Sequence, residues 1–184
     1  MYGRRFVFMF LNAKKLVFLG LLLACTVLLV ILSGIIETNT LFLLAGASYC
    51  VGITIRESGL RFGFGFYIAS IFLSFILAPN KLYCITFSAM GLYLVLMELS
   101  WELLAKHTSK KDKNILFWMI KLAIFNIIYL PIIIYLPKLV YQGTIDSKLF
   151  AVALAGGQLG IFIYDMAYNY FQKFIWGKVR GRFY

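Results

Sequence analysis

The chain has 184 residues, 62% of them hydrophobic and 18% aromatic, with a mean hydropathy of +0.90. Charged residues make up 14% and are bunched, which excludes an ordinary soluble domain and indicates an integral membrane protein, all-α and polytopic, of one domain over residues 1–184. The formal net charge of +11 does not call for nucleic acid as a partner, because a polytopic protein retains lysine and arginine on its cytoplasmic side.

A helix that crosses a bilayer needs about 20 predominantly apolar residues. Charges and turn formers divide the chain into six such segments. The basic start "MYGRRFVFMFLNAKK" precedes Leu16–Ile36, 21 residues without a charge. That length exceeds the apolar region of a signal peptide and no A-x-A site follows, so it reads as a retained first span. Within it Gly20 and Ala24 are small residues four apart. After "ETNT" comes a short second segment, Thr40–Ile55, and after "RESGLR" the third, Phe62–Ala78. "APNK" leads into the fourth, Leu82–Leu104, and the charged "KHTSKKDKN", with His107 read as a loop residue, into the fifth, Ile115–Leu136. The sixth, Leu149–Phe174, follows the outer loop "LPKLVYQGTIDSK". There is no internal repeat.

Lysine and arginine set the orientation. With the N-terminus cytoplasmic, the inner side holds Arg4, Arg5, Lys14, Lys15, Arg56, Arg61, Lys106, Lys110, Lys111, Lys113, Lys173, Lys178, Arg180 and Arg182; the outer side holds Lys81, Lys138 and Lys148. Fourteen against three predicts both termini in the cytoplasm and an even number of spans in a compact six-helix bundle at the plasma membrane. Lys121 is left inside the fifth span.

At about 1.5 Å per residue, Lys121 and Glu98 lie about 10 Å in from the cytoplasmic ends of the fifth and fourth spans, and Asp165 about 12 Å from Lys173 in the sixth. An isolated charge in hydrocarbon is costly, so these groups should meet. The fourth and fifth spans are joined by a short loop, which makes Glu98–Lys121 the expected ion pair, with Asp165 as second neighbour. The cluster reads equally as a lock on helix register and as a functional site. Gln158, Asp165 and Gln172, spaced by seven, share a face of the sixth span with Tyr168 nearby. Ala153 with Gly157, and Gly156 with Gly160, offer close helix approach. Asn126 lies near the middle of the fifth span, and Pro131 is expected to kink its outer half.

Catalytic and metal-binding patterns are not found. His107 is the only histidine, no glycine-rich phosphate loop occurs, and Glu98 and Glu102 have no second acidic or histidine cluster to complete a metal site. Neither an enzyme nor a cofactor is expected. Cys25, Cys50 and Cys84 lie in apolar segments and read as small buried thiols. Tyr83, Trp101, Tyr135, Tyr141 and Trp176, near span ends, suit an interfacial belt.

The runs "IRESGLRFGFGFYIASIFLSFILAPNK" (Ile55–Lys81), "GLYLVLMELSWELL" (Gly91–Leu104), "KLAIFN" (Lys121–Asn126) and "IFIYDMAYNYF" (Ile161–Phe171) resemble small six-span proteins of Gram-positive bacteria. Those are similar to the S components of energy-coupling-factor vitamin transporters, and the resemblance covers residues 40–176. It implies a six-helix protein that binds a vitamin or similar micronutrient near the outer face. It also implies docking, through small residues of the first helix, on a transmembrane coupling subunit driven by two ATPases. The family's docking feature is alanines four apart; Gly20 and Ala24 match it with glycine in the first place. A bundle whose charged cluster lies toward the cytoplasm has room for an outer ligand pocket among Asn80, Tyr83, Asn126, Tyr129, Tyr135 and Gln158. Two other classes fit the same residues: a scaffold subunit of a cell-envelope assembly, similar to MreD-type proteins, and an ion-coupled carrier built on Glu98, Lys121 and Asp165.

Overall fold

The structure, a computed structural model, describes residues 2–107, 113–135 and 147–178, and no strand occurs among them. Six α-helices follow in chain order: α1 (Tyr2–Ser33), α2 (Thr40–Ser58), α3 (Leu60–Leu77), α4 (Lys81–His107), α5 (Lys113–Tyr135) and α6 (Ser147–Tyr170). A 3₁₀ turn, Glu37–Asn39, precedes α2, and a π-helical turn, Phe171–Trp176, continues α6. Four stretches among the described residues are long and apolar enough to cross a membrane: Ala13–Ser33, Leu60–Leu77, Lys81–Ala105 and Ile115–Ile134. The second and sixth expected spans are present as helices α2 and α6.

Several boundaries differ from those expected, because charge is a poor helix stop. Lysine, arginine and glutamate are good helix formers whose long side chains carry the charge away from the axis. Thus α1 starts well before Lys14, α2 runs through Arg56 and Glu57 to Ser58, and His107 closes α4 rather than lying in a loop. Local backbone chemistry ends the helices instead. Ser33 ends α1 short of the expected Ile36, where the Gly34 N–H bonds the Ile31 carbonyl and the Thr40 hydroxyl donates to the Ser33 carbonyl at 3.1 Å. Gly59, at φ +87°, is the whole link between α2 and α3, and its N–H closes α2 on the Ile55 carbonyl. Helix α5 is continuous through Pro131. Tyr141 and the last six residues lie outside the described residues, as does the side chain of Tyr135.

The chain divides into two compact units, Met1–Val95 and Leu96–Tyr184, with the boundary inside α4. In the first, α1, α2 and α3 pack on one another. Their core includes Val30, Leu44, Val51, Phe66 and Phe87 and extends onto α4 through Val95. Several polar side chains buried here need no partner helix. Thr26, Ser33, Ser48, Thr54 and Ser70 each donate to a carbonyl three or four residues back in their own helix. The Tyr67 hydroxyl ties α3 to α4 by donating to the Ser88 carbonyl at 2.7 Å, with its ring lying over Gly91. Gly63 is needed where α2 and α3 meet, since a Cβ there would stand 2.9 Å from Ile55 Cα. The Lys81 ammonium donates to the carbonyls of Phe75 and Ala78 and so caps the C-terminal turn of α3.

The second unit is built from the end of α4 with α5 and α6. In both units large apolar side chains point outward: Leu16, Val17, Phe42 and Ile76 in the first, Ile127, Ile163 and Met166 in the second. Apolar outer faces with charged groups held inside suit hydrocarbon, not water, as the solvent.

Candidate functional site: a buried charged cluster on α4, α5 and α6

The site belongs to the second unit. On α5, Lys121 is buried, and its ammonium lies 2.8 Å from each carboxylate oxygen of Asp165 on α6. Its aromatic neighbours complete its surroundings: the Phe117 ring centre is 4.4 Å away and the Trp118 ring 5.1 Å. A carboxylate and two π-faces together compensate an ammonium removed from water. Asp165 also accepts from the Asn169 side-chain amide at 3.2 Å, one turn along α6.

The second carboxylate is Glu98 of α4. It accepts the hydroxyl of Tyr168 at 2.7 Å, and Tyr168 has no exposed surface at all. Tyr168 follows Asp165 by three residues, so one face of α6 serves both carboxylates. Gln172, one turn further in the π-helical turn, is buried, and its side-chain nitrogen has no hydrogen-bond partner among the described residues. Trp101 of α4 packs on Phe117 with ring centres 4.9 Å apart, closing the aromatic side of the cluster.

Two further polar rungs run up α5 and α6. The Gln158 amide donates to the Asn126 side-chain oxygen at 2.7 Å, and the Tyr129 hydroxyl donates to the Ala153 carbonyl at 2.8 Å. Residues 121, 126 and 129 thus meet 165, 158 and 153, so the two helices are antiparallel and zipped by polar contacts. Gly157 makes the last rung possible, since the Tyr129 ring occupies the place a Cβ would need.

Glu98, Lys121 and Asp165 are all buried, but the partner order differs from that expected. The carboxylate on Lys121 is that of Asp165, and Glu98 is held by Tyr168. Sequence adjacency of α4 and α5 favoured Glu98; the antiparallel register of α5 on α6 favours Asp165. Tyr168, Asn169, Phe117 and Trp118 were not in the expected cluster. All four stand three or four residues from Lys121 or Asp165 on the same helix, a spacing that could have found them.

Of the expected pocket residues, Asn80, Tyr83, Asn126, Tyr129 and Gln158 are engaged in contacts within their own unit. Asn126 and Gln158 bond each other, and Asn126 also donates to the Leu122 carbonyl at 2.8 Å. Tyr129 is bonded to Ala153. In the first unit, the Asn80 side chain accepts the Leu82 N–H at 3.0 Å at the start of α4, and Tyr83 is half-buried against the core. Gly20 and Ala24 are exposed on α1, and among the described residues nothing lies within 4 Å of a Cβ placed at Gly20. The small pairs on α6 divide: Gly157 packs inward, whereas a Cβ at Gly156 or Gly160 meets nothing within 4 Å among the described residues. Cys50 and Cys84 are buried and Cys25 is exposed, against the expectation of three buried thiols; all three are free. Among the described residues no group of three histidine, cysteine or acidic side chains could hold a metal ion.

No family model, curated protein or solved structure matches the chain.

Proposed function

We propose that the chain is a non-enzymatic integral membrane protein that crosses the bilayer six times with both termini cytoplasmic. We further propose that it serves as the substrate-binding subunit of a transporter for a vitamin or similar micronutrient. The apolar outer faces and the lysine and arginine distribution support the first part. One observation carries the second: Gly20 and Ala24 lie on an exposed face of α1, with nothing among the described residues within 4 Å of a Cβ at Gly20. A helix-interior glycine costs about 1 kcal/mol relative to alanine. No packing among the described residues requires it, whereas a coupling subunit docking on α1 would, as the resemblance to S components implies.

The test has two arms. Reporter fusions at Lys81 and Gly143 should read outside, and fusions at Thr108 and Tyr184 inside; an external C-terminus overturns the span count. Gly20→Leu with Ala24→Leu should leave the purified protein folded but abolish its co-purification with a coupling subunit and ATPases. Mass spectrometry of the wild-type protein in detergent should find a bound small molecule. Complex formation unaffected by the double substitution, or neither complex nor ligand, refutes the transporter role. Co-purification with wall-synthesis proteins instead would support the scaffold class.

A second reading rests on a different observation. Buried ionisable groups on apolar helices often mark proton or ion pathways. Lys121–Asp165 and Glu98–Tyr168 together favour an ion-coupled carrier, and strictly pH-dependent flux by the reconstituted protein would select it.

A further inference from the structure

We propose that the end of the first unit where α1, α2 and α3 meet binds the phosphate of an anionic phospholipid headgroup, through Lys14, Lys15, Arg56 and Arg61. Two contacts and a one-residue link bring together the helix ends that carry these cations. The Lys15 ammonium stands 5.0 Å over the ring centre of Phe62, which puts residue 15 of α1 beside the first turn of α3. Ile55 packs on Gly63, which puts the last turns of α2 against the same place. Gly59 alone links the two helices, so Arg56 and Arg61 flank a single tight corner.

Charge and exposure fit the ligand. Lys14, Arg56 and Arg61 are exposed and Lys15 is half-buried. Glu57 supplies one carboxylate against these four cations. Lys81 lies at the other end of α3, where its ammonium is engaged by the Phe75 and Ala78 carbonyls.

Position selects a lipid over a soluble anion. Lys14 and Lys15 open the apolar stretch Ala13–Ser33, and Arg61 is the second residue of Leu60–Leu77. Within one turn of these cations Leu16, Val17, Phe62 and Phe64 are exposed. A free phosphate or a nucleic acid has no use for that apolar border. A phospholipid places its phosphate on the cations and its acyl chains along the apolar side chains. Orientation by charge needs only the number of cations on one side; a headgroup site needs them at one place, and the Lys15–Phe62 and Ile55–Gly63 contacts bring the helix ends that carry them together.

The experiment uses the purified full chain in mixed micelles, so it does not depend on the transport role. Native mass spectrometry measures retention of phosphatidylglycerol and phosphatidylcholine. Phosphatidylglycerol should be retained preferentially. Its affinity should fall roughly 30-fold in the Lys15→Gln, Arg61→Gln double variant, at about tenfold or less per charge, and stay unchanged in Lys81→Gln. Glutamine keeps part of the aliphatic stem on Phe62, which protects the fold. Should the double variant fail to fold, the wild type decides by itself: rising salt should weaken phosphatidylglycerol retention and leave phosphatidylcholine unaffected. Equal retention of the two lipids, equal loss in Lys81→Gln, or displacement of the lipid by inorganic phosphate alone overturns the proposal.

Discussion

Lys121 and Asp165, 44 residues apart in the chain, face each other across α5 and α6 with the ammonium 2.8 Å from both carboxylate oxygens. Neither side chain is more than 7% exposed. Such a pair offsets its own desolvation only while both members are present. It therefore fixes which residue of α5 lies against which residue of α6 more strictly than apolar packing would.

The energetic signature of that pair is non-additivity. Lys121→Met and Asp165→Asn should each destabilise the protein in detergent, because each leaves the other charge buried without its counterion. The cost is about 3–5 kcal/mol in soluble proteins and less in a membrane environment. The double variant should recover much of the loss. Denaturant titrations of the four proteins read this directly, and strictly additive losses would mean that the two groups do not interact.

The bond from Tyr168 to Glu98 should couple in the same manner, since hydrogen bonds to a charged group contribute about 1.5–3 kcal/mol. Tyr168→Phe removes the donor and leaves the carboxylate in place, so it should cost more than Glu98→Gln, which also removes the charge. In a double-mutant cycle the Glu98–Tyr168 coupling should exceed the Glu98–Lys121 coupling. The reverse order would restore Glu98 as the chief partner of Lys121.

The elements were largely legible because apolar runs of membrane length are a strong signal, and all six expected segments are helices. Their ends were less legible. Charge suggests stops in the sequence, while Ser33 with Gly34, and Gly59, set the ends by backbone hydrogen bonding. In the cluster, depth along each helix points to Glu98, Lys121 and Asp165, and each of the three is buried. Depth says nothing of rotation about the helix axis, which decides how the groups pair; the contact seen is Lys121 on Asp165 at 2.8 Å. Tyr168 was harder still: its spacing of three from Asp165 puts it near the polar face of α6, but does not say which group its hydroxyl will bond.

Two glycines should respond oppositely to the same substitution. Gly63→Ala forces a methyl group against the Ile55 backbone, 2.9 Å from its Cα, and should cost about 1–3 kcal/mol as α2 and α3 separate. Gly20→Ala meets nothing within 4 Å among the described residues and should be neutral or stabilise by up to about 1 kcal/mol through helix propensity. Thermal unfolding in detergent compares them. A destabilising Gly20→Ala would show that α1 packs more closely at that point than the structure has it.

The Asn126–Gln158 rung separates a ligand pocket from a helix zipper. Both amides are satisfied within the protein, Gln158 donating to Asn126 and Asn126 donating to Leu122. Polar contacts between helices in a bilayer contribute about 0.6 kcal/mol on average and up to about 1.7. Asn126→Leu alone leaves the Gln158 amide without its acceptor and should be destabilising by about that amount. Adding Gln158→Leu removes the stranded group and should return stability toward wild type. Any small molecule that co-purifies with the protein then gives a second reading of the same variant. If the amides only zip α5 to α6, the restored double variant keeps the ligand. If they form the floor of a binding site, the double variant is as stable as wild type and empty, because two leucines offer a polar ligand nothing to bond.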